Sequence, residues 1–187
     1  NLVICESDNR QIMRRQADGS YTAIATHVGG KRLNRPNDIV GRSDGTLYFT
    51  DPGGRLSEEE KELDYSGVHI IAPSGAQSVG TTETEYPNGL AFSPDEKILY
   101  VAITRLDAGC LEEKEKHQMC EHQLIRAFDV AADGSLSNNR VFATMYSAED
   151  GVPDGMKVDV EGNIYCTGSE GCWMFDASGK HLGIIKL

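Results

Sequence analysis

The sequence predicts an all-β chain that folds as a β-propeller, because one short pattern is repeated three times at wide spacing. The pattern contains a proline, an Asn or Asp, an alternating apolar run, a turn with Asp or Gly, and a second apolar run with a tyrosine. It begins at Pro36, Pro87 and Pro153, which are 51 and 66 residues apart. β-rich repeats of about this length are typical of propeller blades with four strands each.

The segment before the first repeat predicts three short strands. Apolar or alternating runs cover residues 2–5, 11–15 and 21–25. Asp8-Asn9 and residues 17–20 supply turn-forming side chains between these runs. This segment is therefore predicted to be part of a further blade.

Each repeat predicts a β-hairpin followed by two outer strands. In the first repeat, Ser43-Asp44-Gly45 is the turn and residues 46–50 form the second strand. A polar residue precedes the first strand of every repeat, at a point where a loop can face a ligand. The outer strands of the three blades are predicted at residues 67–72 and 77–80, 124–130 and 141–145, and 172–176 and 181–187.

Two polar segments interrupt this pattern. Residues 57–64 are predicted to form either one helical turn capped by Ser57 or a solvated loop. Residues 106–123 form a charged insertion that contains His117, Cys120 and His122. These ligand types allow a metal site, but a polar loop fits the segment better, either over the mouth of a pocket or on the surface.

Composition excludes several classes of function. The 187 residues carry a formal net charge of -11, which disfavours nucleic acid as a partner. No apolar run of about 18 residues is present that could span a membrane. The length fits a single domain over residues 1–187, or about four blades. Since the chain opens inside an apolar run and closes no ring, we expect an incomplete segment of a larger propeller.

The five cysteines contain no CxxC pair, so a zinc site built from cysteines is not predicted. Cys110 and Cys120 lie in one insertion and could be joined. Cys5, Cys166 and Cys172 lie in or beside strand patterns and are predicted to be small buried residues. The pattern leaves the compartment open between cytoplasm, periplasm and secretion, and the oligomeric state is open as well.

The three repeats place oxygen donors at equivalent positions. Asn37, Asn88 and Asp154 each follow the proline of their repeat, and equivalent loops of successive blades converge on a propeller's axis. Two amide oxygens and one carboxylate suit a divalent cation such as calcium or magnesium, and also manganese or zinc with waters. The alternative is that these residues only form turns, which is common for Asn and Asp after proline.

At these residues the chain resembles the gluconolactonase and senescence-marker-protein-30 (regucalcin) family. The resemblance implies a six-bladed propeller with a divalent cation on its axis. Calcium is the first expectation, and zinc, magnesium and manganese are the alternatives. It also implies hydrolysis of sugar lactones such as gluconolactone, so a small lactone would be the partner of this protein. The matching strings are residues 34–38 with 43–52, residues 86–95, and residues 152–156 with 171–175.

The resemblance further implies roles for individual residues. Asn88 and Asp154 would bind the cation, with Asn37 beside it as a ligand or a substrate contact. Arg35, Asn37 and Asp38 would bind the substrate. Asp154 would also act as the base that activates water, so Arg35, Asn37 and Asp154 are the predicted catalytic residues.

One departure from the family and two alternative functions stay open. The family's metal site also uses a glutamate from a Glu-Gly-Pro motif, which this sequence lacks. Glu6 follows a strand, but its neighbours do not match that motif, so it is not assigned as a ligand. The alternatives are a non-catalytic calcium-binding scaffold and a phosphotriester hydrolase that uses the same metal site, since a fold does not fix a function.

Overall fold

The computed structural model describes residues 2–104 and 123–186, and every regular element in these ranges is a β-strand. The predicted all-β class is therefore confirmed. The chain divides into two compact units, Asn1–Pro87 and Asn88–Leu187.

Unit 1 begins with a three-stranded antiparallel sheet. Its strands are β1 (Val3–Glu6), β2 (Gln11–Arg15) and β3 (Tyr21–Ala25), in that order. Each strand lies within one residue of its predicted position. In the β2–β3 turn, Oδ1 of Asp18 accepts a hydrogen bond from the backbone N–H of Ser20 at 2.9 Å, which is the usual turn chemistry of Asp.

A short hairpin follows that the sequence pattern did not predict. It pairs β4 (His27–Val28) with β5 (Lys31–Arg32). The connecting Gly29 and Gly30 have φ angles of +57° and +82°. A two-residue turn with both φ angles positive favours glycine at both positions, so the Gly-Gly pair allows strands that are too short to show any alternation.

The second sheet of unit 1 has four antiparallel strands in chain order. They are β6 (Ile39–Gly41), β7 (Leu47–Asp51), β8 (Gly67–Ile71) and β9 (Gln77–Thr81). The predicted β6–β7 hairpin is present, with Ile39 opposite Phe49. The core of unit 1 contains Ile12, Ala25, Val28, Leu33, Phe49, Leu63 and Ile71.

Residues 57–64, between β7 and β8, form one turn and no helix. Ser57 accepts backbone hydrogen bonds from Glu60 and Lys61 through its carbonyl oxygen. The Glu60 carboxylate in return accepts from the backbone N–H and the hydroxyl of Ser57. Of the two alternatives, the capped turn is therefore present, and its reciprocal bonds resemble a capping box.

Unit 2 contains two four-stranded antiparallel sheets, each in chain order. Their strands carry the second and third repeats. The first sheet holds β10 (Pro87–Phe92), β11 (Ile98–Ile103), β12 (Leu124–Val130) and β13 (Leu136–Thr144). The second holds β14 (Met156–Val158), β15 (Ile164–Gly168), β16 (Gly171–Phe175) and β17 (His181–Lys186).

Strand β13 is longer than predicted. It begins at Leu136 and not at residue 141. Its first half is polar and largely exposed, so the sequence shows no alternation of apolar and polar residues there. The backbone is also irregular, since Asn138 has a φ of +53°. Such irregularity is common on outer strands of a sheet.

The core of unit 2 lies between its two sheets. Tyr100 packs against Phe142 with ring centroids 4.8 Å apart, and Trp173 stacks on Phe175 at 6.3 Å. The buried members are Ala91, Tyr100, Ala102, Ile125, Ala127, Ala143, Met145, Met156, Ile164, Cys166, Trp173 and Phe175.

The predictions for the charged insertion concern His117, Cys120, His122 and the pair Cys110 and Cys120, all of which lie outside the described residues. The three described cysteines are free: Cys166 is buried, as predicted, while Cys5 and Cys172 are half-buried. In residues 2–104 and 123–186 there is no helix long and apolar enough to cross a membrane.

Candidate functional site

The first and third repeats share one hydrogen-bond pattern at the start of their first strand. The backbone N–H of Asn37 donates to the carbonyl of Thr50 at 2.9 Å, and the N–H of Thr50 donates to the carbonyl of Asp38 at 3.0 Å. In the third repeat, Asp154 donates in the same way to Thr167 at 3.1 Å. Asn37 and Asp154 therefore occupy equivalent positions in their sheets.

In unit 2 the segments that carry Asn88 and Asp154 are in direct contact. The backbone N–H of Gly89 donates to the carbonyl of Asp154 at 3.0 Å. A Cβ atom on Gly89 would lie 2.3 Å from that oxygen and 2.9 Å from the backbone nitrogen of Met156. Only glycine allows two backbones to approach this closely, so Gly89 of the Pro-Asn-Gly string brings the two repeats together.

Thr104 fixes the orientation of the Asn88 carboxamide. Nδ2 of Asn88 donates to Oγ1 of Thr104 at 3.1 Å, and the Thr104 hydroxyl donates onward to the carbonyl of Pro153 at 2.8 Å. Both Asn88 and Thr104 are buried. Because the nitrogen end of the carboxamide is used in this way, Oδ1 is the atom that Asn88 can offer to a cation.

Sequence reasoning missed Thr104, although a signal for it was present. A threonine stands near the end of the tyrosine-containing strand in all three repeats, two residues after the tyrosine at positions 50 and 167 but four residues after it at position 104. Thr50 and Thr167 bond through their backbones to the residues that follow the motif proline of their own repeat. Thr104 instead bonds through its side chain to Asn88 and to the carbonyl of Pro153. The repeated threonine is therefore only an approximate signal for Thr104.

The donor atoms in unit 2 fit a hard divalent cation. Asn88 supplies an amide oxygen and the exposed Asp154 supplies a carboxylate, the oxygen donors that calcium and magnesium prefer. Within residues 2–104 and 123–186 no group of three or more His, Cys, Asp or Glu side chains could hold a metal ion. Asn88 and Asp154 would therefore form only part of a coordination shell, which for calcium needs about six to eight oxygens.

In unit 1 the predicted substrate-binding residues lie side by side at the start of β6. Asn37 is exposed, whereas Arg35 and Asp38 are half-buried. Asp38 accepts the N–H of Ile39 through Oδ1 at 2.8 Å and donates its own N–H to Oγ1 of Thr50 at 3.1 Å. Part of the Asp38 carboxylate therefore caps the start of the strand.

Arg35 forms an ion pair with a residue that sequence reasoning treated only as a turn former. Its Nη2 atom lies 2.5 Å from Oδ1 of Asp8. The Arg35 side chain is 26% exposed and that of Asp8 is 87% exposed. The guanidinium is thus held at the edge of the unit and faces solvent in part.

Glu6 is used within its own hairpin. Its Oε2 atom accepts hydrogen bonds from Nδ2 of Asn9 at 3.0 Å and from Nε2 of Gln11 at 2.7 Å. These bonds, first that from Gln11 and then that from Asn9, lower the pKa of Glu6. The Glu6 carboxylate is therefore bonded to side chains of its own hairpin.

Cysteine nucleophiles are disfavoured among the described thiols. Burial raises the pKa of Cys5 and of Cys166 to about 12, and the Asp38 and Asp51 carboxylates add to the rise at Cys5. Burial also raises the pKa of Cys172. Since the thiolate is the reactive form, these residues are poor nucleophiles.

The string Gly-x-Ser-x-Gly at residues 41–45 does not have the context of a serine nucleophile. It lies in the β6–β7 hairpin turn, where the N–H of Gly45 donates to the carbonyl of Arg42 at 2.9 Å. A nucleophilic serine with this motif sits between a strand and a helix. Ser43 is therefore a turn residue.

The four-stranded antiparallel sheets, each opening on the same Pro-Asn/Asp motif, are the blades of a β-propeller. The chain belongs to the family described as "SMP-30/Gluconolactonase/LRE-like region", whose model matches residues 1–187. The resemblance drawn from the motifs is confirmed.

Named relatives agree with this family. The chain is 29% identical over 196 residues to a gluconolactonase from Zymomonas mobilis, a match that covers 99% of this chain and 51% of that protein. It is 35% identical over 123 residues to the lactonohydrolase oryH from Aspergillus oryzae, covering 60% of this chain and 25% of the relative.

A solved gluconolactonase from Xanthomonas campestris is similar in structure, with a TM-score of 0.80 and 36% identity. The match covers 98% of this chain and 57% of that protein. The chain therefore spans little more than half the length of these gluconolactonases.

Proposed function

We propose that this protein hydrolyses sugar lactones with the help of a bound divalent cation. The observation that supports the proposal is the contact in unit 2 between the segments that bear Asn88 and Asp154, with Gly89 donating to the Asp154 carbonyl at 3.0 Å. Family membership and the gluconolactonase relatives support the same class of reaction.

Asn88 and Asp154 are the proposed ligands of the cation, with Asn37 as a further ligand or a substrate contact. A cation held there would polarise the lactone carbonyl and stabilise the charge that develops on its oxygen. Calcium suits these oxygen donors, and magnesium, manganese or zinc could replace it. Thr104 has the role of orienting the Asn88 carboxamide through its nitrogen.

Asp154 is the proposed general base. Its side chain is exposed, and a carboxylate in this position can accept a proton from the water that attacks the carbonyl carbon. The ring C–O bond then breaks, so that the products are a carboxylate and a hydroxyl group on one molecule.

Arg35, Asn37 and Asp38 are the proposed substrate-binding residues. A sugar lactone is neutral and carries several hydroxyl groups that both donate and accept hydrogen bonds. Arg35 offers donors, Asp38 offers acceptors, and Asn37 offers one group of each kind. Together they match the polyhydroxylated ring and its carbonyl oxygen.

The test is a pH-indicator assay of lactone opening with the full-length protein. A panel of aldonolactones is measured before and after EDTA, and calcium, magnesium, manganese or zinc is then added back. We expect hydrolysis that EDTA abolishes and a cation restores. Asp154→Ala should lose turnover, whereas Glu161→Gln, an exposed carboxylate in the β14–β15 turn, should retain it.

Three outcomes would contradict parts of the proposal. Hydrolysis that survives EDTA would rule out the cation, and full activity of Asp154→Ala would rule out the proposed base. Cation binding without opening of any lactone would favour a calcium-binding scaffold. Opening of a phosphotriester but no lactone would favour the phosphotriester hydrolase.

A further inference from the structure

The β1–β2 turn holds the segment that carries Arg35. The hydroxyl of Ser7 donates to the carbonyl of Pro36. Nε of the buried Arg10 donates to the carbonyls of Leu33 and Asn34 at 2.6 Å and 3.0 Å. Contacts on both sides of Arg35 therefore come from this one turn.

A second set of bonds fixes the backbone just before Arg35. The N–H of Asn34 donates to Oδ2 of Asp51 at 2.8 Å, and Nδ2 of Asn34 donates to the carbonyl of Tyr65 at 2.9 Å. Asn34 is fully buried. The backbone at Arg35 is thus fixed on the side of Asn34. The Arg35 side chain can therefore change position mainly by changing its own rotamer.

Asp8 then determines where the Arg35 side chain points. Asp8 belongs to the same β1–β2 turn, and its carboxylate contacts the Arg35 guanidinium at 2.5 Å. Within residues 2–104 and 123–186, no other carboxylate forms an ion pair with Arg35. An exposed pair of this kind contributes only about 0–1 kcal/mol to stability, so its main effect is on the orientation and charge of Arg35.

We infer that Asp8 is a positioning residue that makes Arg35 selective for a neutral ligand over an anionic one. This role of Asp8 rests on the proposed lactone hydrolysis, because that reaction converts a neutral substrate into a carboxylate. An arginine without a partner binds a carboxylate through two parallel N–H groups. Asp8 occupies part of this fork and repels a second carboxylate, while the remaining N–H groups can still donate to hydroxyl or carbonyl oxygens.

The consequence for the reaction is easier product release. Hydrolysis adds water across the ring ester bond, and the acid formed loses a proton to solvent at neutral pH. The product therefore carries one negative charge that the substrate lacks. Asp8 weakens binding of that product and leaves binding of the lactone nearly unaffected.

The experiment compares wild type with Asp8→Asn in the full-length protein. Asparagine keeps the size and an acceptor oxygen but removes the charge. Inhibition of lactone opening by gluconate and calorimetric binding of gluconate are both measured. We expect Asp8→Asn to bind gluconate about fivefold more tightly, with a smaller change in kcat/KM for the lactone, and we expect added salt to reduce this gain.

Two controls separate positioning from general structure. Asp18→Asn alters an exposed Asp in the next turn of the same sheet, where the carboxylate bonds to the backbone and side chain of Ser20, and should leave gluconate binding unchanged. In an Arg35→Ala background, Asp8→Asn should tighten gluconate binding much less, since only the direct repulsion by Asp8 is then removed.

The inference and the proposed function can fail separately. Equal gluconate affinity in wild type and Asp8→Asn would overturn the inference, even if lactone opening is normal. Tighter gluconate binding by Asp8→Asn in a protein that opens no lactone would leave the charge selection standing and reject the lactonase.

Discussion

Nε2 of His69 lies 3.3 Å from Oδ2 of Asp51 in the interior of unit 1, and their side chains are 1% and 0% exposed. The same Asp51 oxygen accepts the N–H of Asn34, the residue before Arg35. Asp51 therefore lies beside both His69 and Asn34. Among the described residues, neither ring nitrogen of His69 completes a hydrogen bond. The segment that carries Arg35 is thus held through Asn34 by a buried carboxylate.

Asp51→Ala should destabilise the protein strongly for this reason. It removes the acceptor of the Asn34 N–H and the carboxyl group that lies beside the buried His69. Losses of this kind cost about 2–4 kcal/mol. Chemical denaturation would measure the change in the free energy of unfolding.

Asp64→Ala is the matched control in the same unit. Asp64 is 86% exposed and lies 3.8 Å from Lys31, so its loss should cost less than about 1 kcal/mol. Equal destabilisation by the two variants would show that the Asp51 group is not an anchor.

Gly89→Ala tests the close approach of the second and third repeats. The new Cβ would lie 2.3 Å from the carbonyl oxygen of Asp154, and the backbone would have to shift. Overpacking costs about 1–3 kcal/mol or more. We expect a lower thermal midpoint, measured by calorimetry.

Gly155→Ala provides the contrast, because the nearest atom to its Cβ, Oγ1 of Thr167, is 4.0 Å away and its φ is not in the positive region. Its midpoint should be unchanged or slightly higher, since alanine reduces the freedom of the unfolded chain. A similar loss in both variants would contradict the role of Gly89.

The features that could be predicted from the sequence are the strands and turns, which depend on neighbouring residues. Alternation and Asp-Gly turns located the strands of all three repeats, because side-chain period and turn chemistry depend on neighbours in the chain. The hairpin at Gly29 and Gly30 was missed because strands of two residues show no period. The early start of β13 was missed because its exposed first half is polar.

The contacts that build the candidate site were not predictable in the same way. Arg10 and Leu33 are 23 residues apart, and Asn88 and Thr104 are 16 apart. Such pairs leave no periodic signal in a single sequence. The motif residues Asn37, Asn88 and Asp154 were found because they are repeated, whereas Asp8 stands outside the repeats.

Thr104→Val tests the orientation of the Asn88 carboxamide. Valine has nearly the same shape but cannot accept from Nδ2 of Asn88 or donate to Pro153. Loss of a group that orients a metal ligand typically lowers metal affinity about 10-fold or more. We expect weaker calcium or manganese binding in calorimetry and a parallel fall in kcat/KM.

Thr104→Ser keeps the hydroxyl and should restore most of this affinity. Stability should fall by about 1–3 kcal/mol in Thr104→Val because buried polar groups lose their partners. Unchanged cation affinity in a folded Thr104→Val protein would show that Thr104 does not act through Asn88.

Thiol alkylation tests the environment of the cysteines. The buried Cys166 has its pKa raised from 9.0 to about 12 by burial, as does Cys5 with help from Asp38 and Asp51. A raised thiol pKa means less thiolate at a given pH, so at about pH 8 the thiolate fraction falls by about 1,000-fold. Iodoacetamide labelling, followed peptide by peptide with mass spectrometry, should therefore be slow at both residues in the native protein.

Cys172 is the internal comparison, because burial raises its pKa without the added effect of carboxylates such as those near Cys5. Its native labelling should be faster than that of Cys5 and Cys166, and all three should react alike in denaturant. Native labelling of Cys166 should also keep rising with pH through about pH 9–11, because its thiolate fraction is far from saturation there. A plateau near pH 9, or equal native rates at Cys166 and Cys172, would contradict the buried position of Cys166 in β15.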